Sequence, residues 1–426
     1  MKHSRKITII LLAIFLPLVG CVTYYSTVSS KNMASIYNPS TTTIHPDYLI
    51  FRDSDSTIML ISRVFTQELL FNQANAENSY KAQMKIHYRL FDSYQSTTML
   101  DSGSVIYVIT KENAGNEILS YIPIRKLSPE KEYILEITTS DLIRNRWSTQ
   151  YQIIQKKSIN NPQNFLIAAT EDNTPIFRKN VDSNDVFYLK TRMRGITKLY
   201  VDYFRNEFPL PPPPFSSVMP DSAIFLPDSS WVINFSEHTP INCPYTGTYR
   251  YRVDTTELAG FTVFNFGENY PYFRLPENLV QPLQYLTTTE EFAAILQMPN
   301  KKIALDNFWL KTTGNMERSK ELIRIFYNRA FLANIFFASY TEGWKTDRGM
   351  IYTVFGEPAK IYLTETGEKW SYGQNQNMQT ASFTFVRVKH PICGYEYVLD
   401  RNSAFKGLWY DAVDTWRNGR AYLFGN

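Results

Sequence analysis

Only 3 cysteines and 5 histidines occur among 426 residues. A disulfide-stapled scaffold needs far denser cysteine, and His3, His45, His87, His238 and His390 stand at no spacing that gathers a metal. His390-x-x-Cys393 offers half of a zinc site with no second pair nearby. No metal and no cofactor are therefore expected. Glycine is scarce at 17 residues, and G-x-x-x-x-G-K-[ST], G-x-G-x-x-G and G-x-S-x-G are all missing, which excludes the loops that cradle phosphates or present a serine nucleophile. A surplus of one charge is also lacking. Lys and Arg total 44 against 40 Asp and Glu, and phosphate-backbone binding demands a clustered basic excess, so nucleic acid is not expected as a partner. What is abundant is aromatic residues, with 29 Tyr, 28 Phe and 7 Trp, a profile that suits strands.

The one long apolar run is Ile7 to Val19, preceded by Lys2, Arg5 and Lys6. Thirteen helical residues span about 20 Å, short of a hydrocarbon core of about 30 Å, so the run reads as a secretory leader rather than a membrane span. Leu18-Val19-Gly20-Cys21 resembles the bacterial lipobox. That resemblance implies cleavage of residues 1–20 and acylation of Cys21, and several acyl chains on one residue anchor far more firmly than a single chain. The expected address is the outer membrane. The segment after Cys21 carries no acid, which favours the periplasmic face. Loss of the leader would leave 41 basic against 40 acidic residues. Residues 21–46, rich in Ser, Thr and Asn without a clear period, read as a tether. An oxidising compartment allows a Cys243–Cys393 disulfide, with two buried thiols as the other reading.

Residues 47–159 show short alternating runs, among them 57–65, 82–91, 104–109, 131–137 and 147–154, the pattern of an antiparallel sandwich of immunoglobulin type. Residues 160–282 continue in the same style and predict a second β-rich domain. It contains the run Pro209-Leu210-Pro211-Pro212-Pro213-Pro214, either a stiff loop or a ligand for an aromatic groove. From 283 the period changes. Helices are expected over 288–296, 302–310 and a long stretch after Asn315, followed by a strand meander from Met350, so 283–426 predicts an α+β domain. The fold class is multidomain, two mainly-β sandwich-like domains followed by an α+β domain.

The most distinctive text is Gly343-Trp344-Lys345-Thr346-Asp347-Arg348-Gly349, followed by Gly356-Glu357-Pro358 and Glu368-x-Trp370-x-Tyr372. It resembles the GWxTD domain of bacterial envelope proteins, with Phe308-Trp309, Arg329 and Ala333-Asn334 extending the likeness over about 284–390. Met350 and Ala359 stand where the family favours polar or acidic residues. Read locally, the heptapeptide is a helix-to-strand junction. Gly343 ends the long helix in a left-handed conformation, Trp344 plugs the core, and Thr346 and Asp347 bond turn amides. Arg348 pairs with Asp347, Glu357 or Glu368, and Gly356-Glu357-Pro358 turns between the first two strands.

The resemblance brings no established reaction. The expected function is that of a non-catalytic lipid-anchored accessory or scaffold subunit, binding membrane lipid through Cys21 and an envelope complex for outer-membrane protein assembly or secretion. One alternative is a glycan-binding lipoprotein with exposed aromatic platforms. The other is a hydrolase using Asp347, Glu357 or Glu368, since paired carboxylates suffice for glycoside hydrolysis.

Overall fold

The computed structural model describes residues 27–73, 79–170, 174–205, 208–217, 225–373 and 380–424. The leader and Cys21 lie outside these residues. Among the described residues no helix is long and apolar enough to cross a membrane.

The first domain holds strands β1 (Asp47–Arg52), β2 (Ile58–Phe65), β3 (Asn72–Gln73), β4 (Tyr80–Phe91), β5 (Asp101–Thr110), β6 (Glu117–Ile124), β7 (Tyr133–Asp141) and β8 (Arg146–Ile154). One sheet has the order β1-β2-β6. The other runs β3-β4-β7-β8, with β5 on the free side of β4. All pairs are antiparallel, and alternation decides which side chains face inward. On β4, Ala82, Met84, Ile86, Tyr88 and Leu90 are buried against Leu60, Ile122 and Ile137. Gln83, Lys85, His87 and Arg89 therefore lie on the opposite face.

The second domain stacks a sheet of order β13-β10-β9 on one of order β12-β11-β14-β15. These strands are β9 (Phe165–Ala168), β10 (Phe187–Thr191), β11 (Lys198–Phe204), β12 (Ser229–Asn234), β13 (Pro240–Ile241), β14 (Gly247–Arg252) and β15 (Phe261–Asn265). Cys243 is buried in this core beside Tyr251, whereas Cys393 sits in a turn of the third domain with its thiol directed to the Tyr395 carbonyl. Both thiols are free. The Cys243–Cys393 disulfide is thus corrected to two separate thiols, each already seated in its own packing. The proline run is a stiff loop. Its Pro212 carbonyl accepts from the Arg401 guanidinium at 3.0 Å and its Pro214 carbonyl from the Asn402 amide at 3.1 Å, which fastens it to the third domain.

The third domain comprises α1 (Pro276–Val280), α2 (Thr289–Gln297), α3 (Lys301–Thr313), α4 (Met316–Phe337), α5 (Asp347–Phe355), the meander β16 (Lys360–Thr364), β17 (Gly367–Tyr372), β18 (Ala381–His390) and β19 (Gly394–Leu399), and α6 (Phe405–Arg417). Thr288 and Glu291 form a capping box on α2, Asn300 caps α3, and Asn315 caps α4 through the amides of Glu317 and Arg318, each satisfying amides that a helix start leaves open. Leu322, Phe326, Ala330, Ala333 and Phe337 form the buried stripe of α4. Residues 350–355, expected as a strand, are helix. All six are buried, so the segment shows no amphipathic period and its β-branched and aromatic letters imitate a buried strand.

Residues 27–46 do not hang free as a tether. Val28 and Met33 are buried in the third domain's core cluster, and the Met33 amide donates to the Ile361 carbonyl of β16 at 2.8 Å. The segment is built from short 3₁₀ turns over Val28–Ser30, Ala34–Tyr37 and Pro39–Thr41, which take their stability from the surfaces they cover rather than from a repeat of their own. It forms a strap between β8 and β16.

Candidate functional site

The family-like heptapeptide folds as a 3₁₀ turn (Gly343–Lys345) running into α5. Its glycines are there for closeness. A Cβ on Gly343 would lie 2.0 Å from the Ala333 carbonyl oxygen of α4, and one on Gly349 would lie 1.9 Å from the Gly343 carbonyl oxygen. The long helix ends instead at Phe337, six residues before the glycine expected to terminate it. Trp344 is 2 % exposed. Its amide donates to Asn334 Oδ1 at 3.2 Å, its carbonyl accepts from the Tyr285 hydroxyl at 2.9 Å, and its ring meets Phe273 and Tyr285 edge-on. Thr346 Oγ1 donates to the Gly343 carbonyl at 2.8 Å and accepts from the Gly349 amide at 3.1 Å, capping α5.

The charged letters are spent on the same framework. Asp347 opens α5, accepts from the Leu399 amide at 2.8 Å, and holds Arg401 in a buried ion pair. Arg348 donates to Glu368 Oε1 at 2.9 Å and to the Tyr37 hydroxyl at 3.1 Å. Its guanidinium lies between the rings of Phe337 and Tyr397 at 5.0 and 4.0 Å. Glu368 also accepts from the Tyr37 hydroxyl at 2.9 Å and from Trp370 Nε1 at 2.8 Å. Burial works against the Arg348 charge, but Glu368 first, then Tyr37 and Tyr397, hold its pKa above the ordinary value. The Tyr37 phenol is pushed well up by burial and by Glu368. Of the partners expected for Arg348, the structure selects Glu368.

Gly356 ends α5 with φ +83° and leads into β16, so Gly356-Glu357-Pro358 joins helix to strand rather than two strands. Pro358 and Met350 are buried, while Glu357 is exposed and bonded by the Asn38 side chain of the strap. Arg329 donates to the carbonyls of Val354 at 3.1 Å and Tyr422 at 2.9 Å, with its guanidinium over Trp416. Burial without a bonded carboxylate draws its pKa down to about 10.

Residues 247–418 match the family model described as the GWxTD domain. The chain carries a GWxTD domain. No curated protein matches the chain. The match starts at the first residue of β14, upstream of residue 283, and so takes in strands that touch the meander. Arg250 on β14 donates to the Pro391 carbonyl at 2.7 Å, and Thr262 on β15 donates to the Ile392 carbonyl at 2.7 Å, so these strands brace the β18–β19 turn of the GWxTD domain.

Between β8, the strap and α4 lies a cleft of about 900 Å³ whose lining includes Tyr37, Gln150, Ile335, Arg348 and Glu368. Neither Asp347 nor Glu357 lines it. Sequence reasoning missed Tyr37 and Arg401. Arg401 is 54 residues from Asp347 and Tyr37 is 331 from Glu368, and no periodicity links letters so far apart.

Proposed function

We propose that this protein is a non-catalytic, lipid-anchored envelope protein that acts as an accessory or scaffold subunit, held at the periplasmic face of the outer membrane through Cys21. Its partner is another envelope protein, of an outer-membrane protein assembly or secretion complex, which contributes an extended strand. The observation that carries this reading is the outer edge of β5. That strand is ten residues long, bonds only to β4 among the described residues, and exposes Ile106 and Val108 at 57 % and 60 %. Met99 and Leu100 just before it are also exposed. Soluble proteins ordinarily blunt such edges with charge, proline or a covering loop, because open backbone groups recruit further strands. The fates of Asp347 and Glu368 add support, since Asp347 is engaged by Arg401 and the Leu399 amide, Glu368 by Arg348, the Tyr37 hydroxyl and the Trp370 indole, and Glu357 lies apart from them.

The test is a mild-detergent pull-down of the full-length protein from native membranes with quantitative mass spectrometry, alongside Cys21→Ala and the pair Ile106→Lys/Val108→Lys. A defined stoichiometric set of outer-membrane proteins should accompany the wild type and be lost with the edge variant. Recovery of bait alone, or an unchanged set with the edge variant, would overturn the reading.

A further inference from the structure

A second cleft, of about 820 Å³, lies on the outer face of the larger sheet of the first domain, walled on one side by the strap. Register builds its floor. Arg89, Glu136 and Tyr151 stand opposite one another across β4, β7 and β8; Thr138 faces Thr149 in the next rung, and Ser140 faces Trp147 in the one after. Glu136, 3 % exposed, accepts from Lys31 Nζ of the strap at 2.7 Å, from Arg89 Nε at 2.6 Å and from the Tyr151 hydroxyl. Burial opposes its charge, yet those three donors hold its pKa below the usual carboxylate value. The carboxylate is consumed from beneath, while the side chains of Lys31 and Arg89 remain 29 % and 37 % exposed.

Charge and texture then specify a ligand. The lining holds three cations, Lys31, Arg89 and Arg146, against one carboxylate, a surplus of positive charge in a concave site. Arg146 is exposed and has no carboxylate partner among the described residues. Beside it Trp147 is 58 % exposed at the cleft wall. The rest of the surface is hydroxyl-rich. The Thr138–Thr149 hydroxyl pair at 2.9 Å leaves lone pairs unused on both oxygens. Of the large apolar or aromatic side chains in the lining, Met33 is buried and Tyr151 is bonded to Glu136, which leaves Trp147 as the well-exposed one, so an apolar peptide side chain finds no pocket to fill. A pyranose fits all of these features, with its C–H face on an indole, its hydroxyls on a hydroxyl ladder, and an acidic substituent on the guanidinium groups.

We infer that this cleft binds an anionic oligosaccharide, stacking one sugar on Trp147 and directing carboxylates or phosphate esters to Arg146 at one end and to Arg89 and Lys31 at the other. The site is separate from the β5 edge and does not depend on the protein partner proposed above. Full-length protein is titrated with trigalacturonate, with mannose 6-phosphate and with neutral cellotriose, read by tryptophan fluorescence and calorimetry. Wild type, Trp147→Ala and Arg146→Ala are compared, since both side chains are exposed and their loss should leave melting unchanged. At least one anionic probe should bind ten-fold or more tighter than cellotriose, and the uronate and phosphate arms distinguish the two sources of charge. Trp147→Ala should weaken binding of every probe, whereas Arg146→Ala should bring the anionic probe towards the neutral one. Absence of binding by both anionic probes, equal affinity for cellotriose, or indifference to both substitutions would each overturn the inference.

Discussion

The GWxTD domain and the first sandwich treat their polar residues in opposite ways. In the GWxTD domain the lettered motif is turned inward. Gly343 and Gly349 allow backbones to touch, Trp344 fills the space behind them, and Asp347 and Arg348 spend their charge on buried partners. In the cleft of the sandwich, Glu136 is consumed inside a cluster whose cations stay partly open to solvent, and an edge strand with apolar side chains is left uncovered. The lesson is that the most recognisable letters of this chain are framework, and the surfaces proposed to meet other molecules lie in the less distinctive text.

That contrast can be broken most forcefully at the glycines. Gly343→Ala or Gly349→Ala should destabilise the GWxTD domain by about 4 kcal/mol or more, because the added carbon must displace backbone. Urea unfolding followed by tryptophan fluorescence measures this, and a loss below about 1 kcal/mol would show that the turn yields. Next comes Arg348→Met, which strands Glu368 in the interior and should cost about 3–5 kcal/mol. A double-mutant cycle with Glu368→Gln should recover a large part of that loss, and additive losses would show that the pair is not coupled.

Titration sharpens the comparison, since the two domains carry buried acids whose pKa values are shifted in opposite directions. Glu136 of the sandwich has its pKa depressed below the unfolded value. It contributes stability at pH values above that value and loses it as pH falls through the folded pKa. Glu396 of the GWxTD domain, with one oxygen lacking a partner, has its pKa raised by burial. Its favourable contribution is complete below the unfolded value and is lost as pH rises towards the folded pKa. Melting curves from pH 3.5 to 8 should therefore show Glu136→Gln removing part of the loss towards acid and Glu396→Gln removing part of the loss towards neutral pH. Equal shifts at all pH values would refute the assignment. The smallest expected effect is on the surface. Ile106→Lys with Val108→Lys should leave stability within about 0.5 kcal/mol of wild type, and a larger loss would mean that the β5 edge belongs to the core.

Much of the architecture was legible because local chemistry announced it. Alternation marked β4, β7 and β8, and Thr288 and Asn315 marked helix starts through the amides they cap. Trp344 was readable as a plug and Glu368 as a partner for Arg348. What escaped was set by the environment. Residues 350–355 form a helix buried on every side, so their letters carry no stripe. Gly343 is required by contact with Ala333 rather than by a left-handed backbone, a distinction only the neighbour reveals. The strap has no pattern because the surfaces beneath it supply the order.

The strap also sets a timetable. Tyr37 leaves the ribosome early, yet the carboxylate it locks onto lies 331 residues downstream. At about 5–20 residues per second, roughly 15–65 s separate the two. Through that interval the leading segment stays unclaimed, because the Ile361 carbonyl and the Glu368 carboxylate that hold it have yet to be made. Closing the strap thus waits on β16 and β17, and protection of residues 27–46 from a protease would report that the chain has been made and folded at least through Glu368.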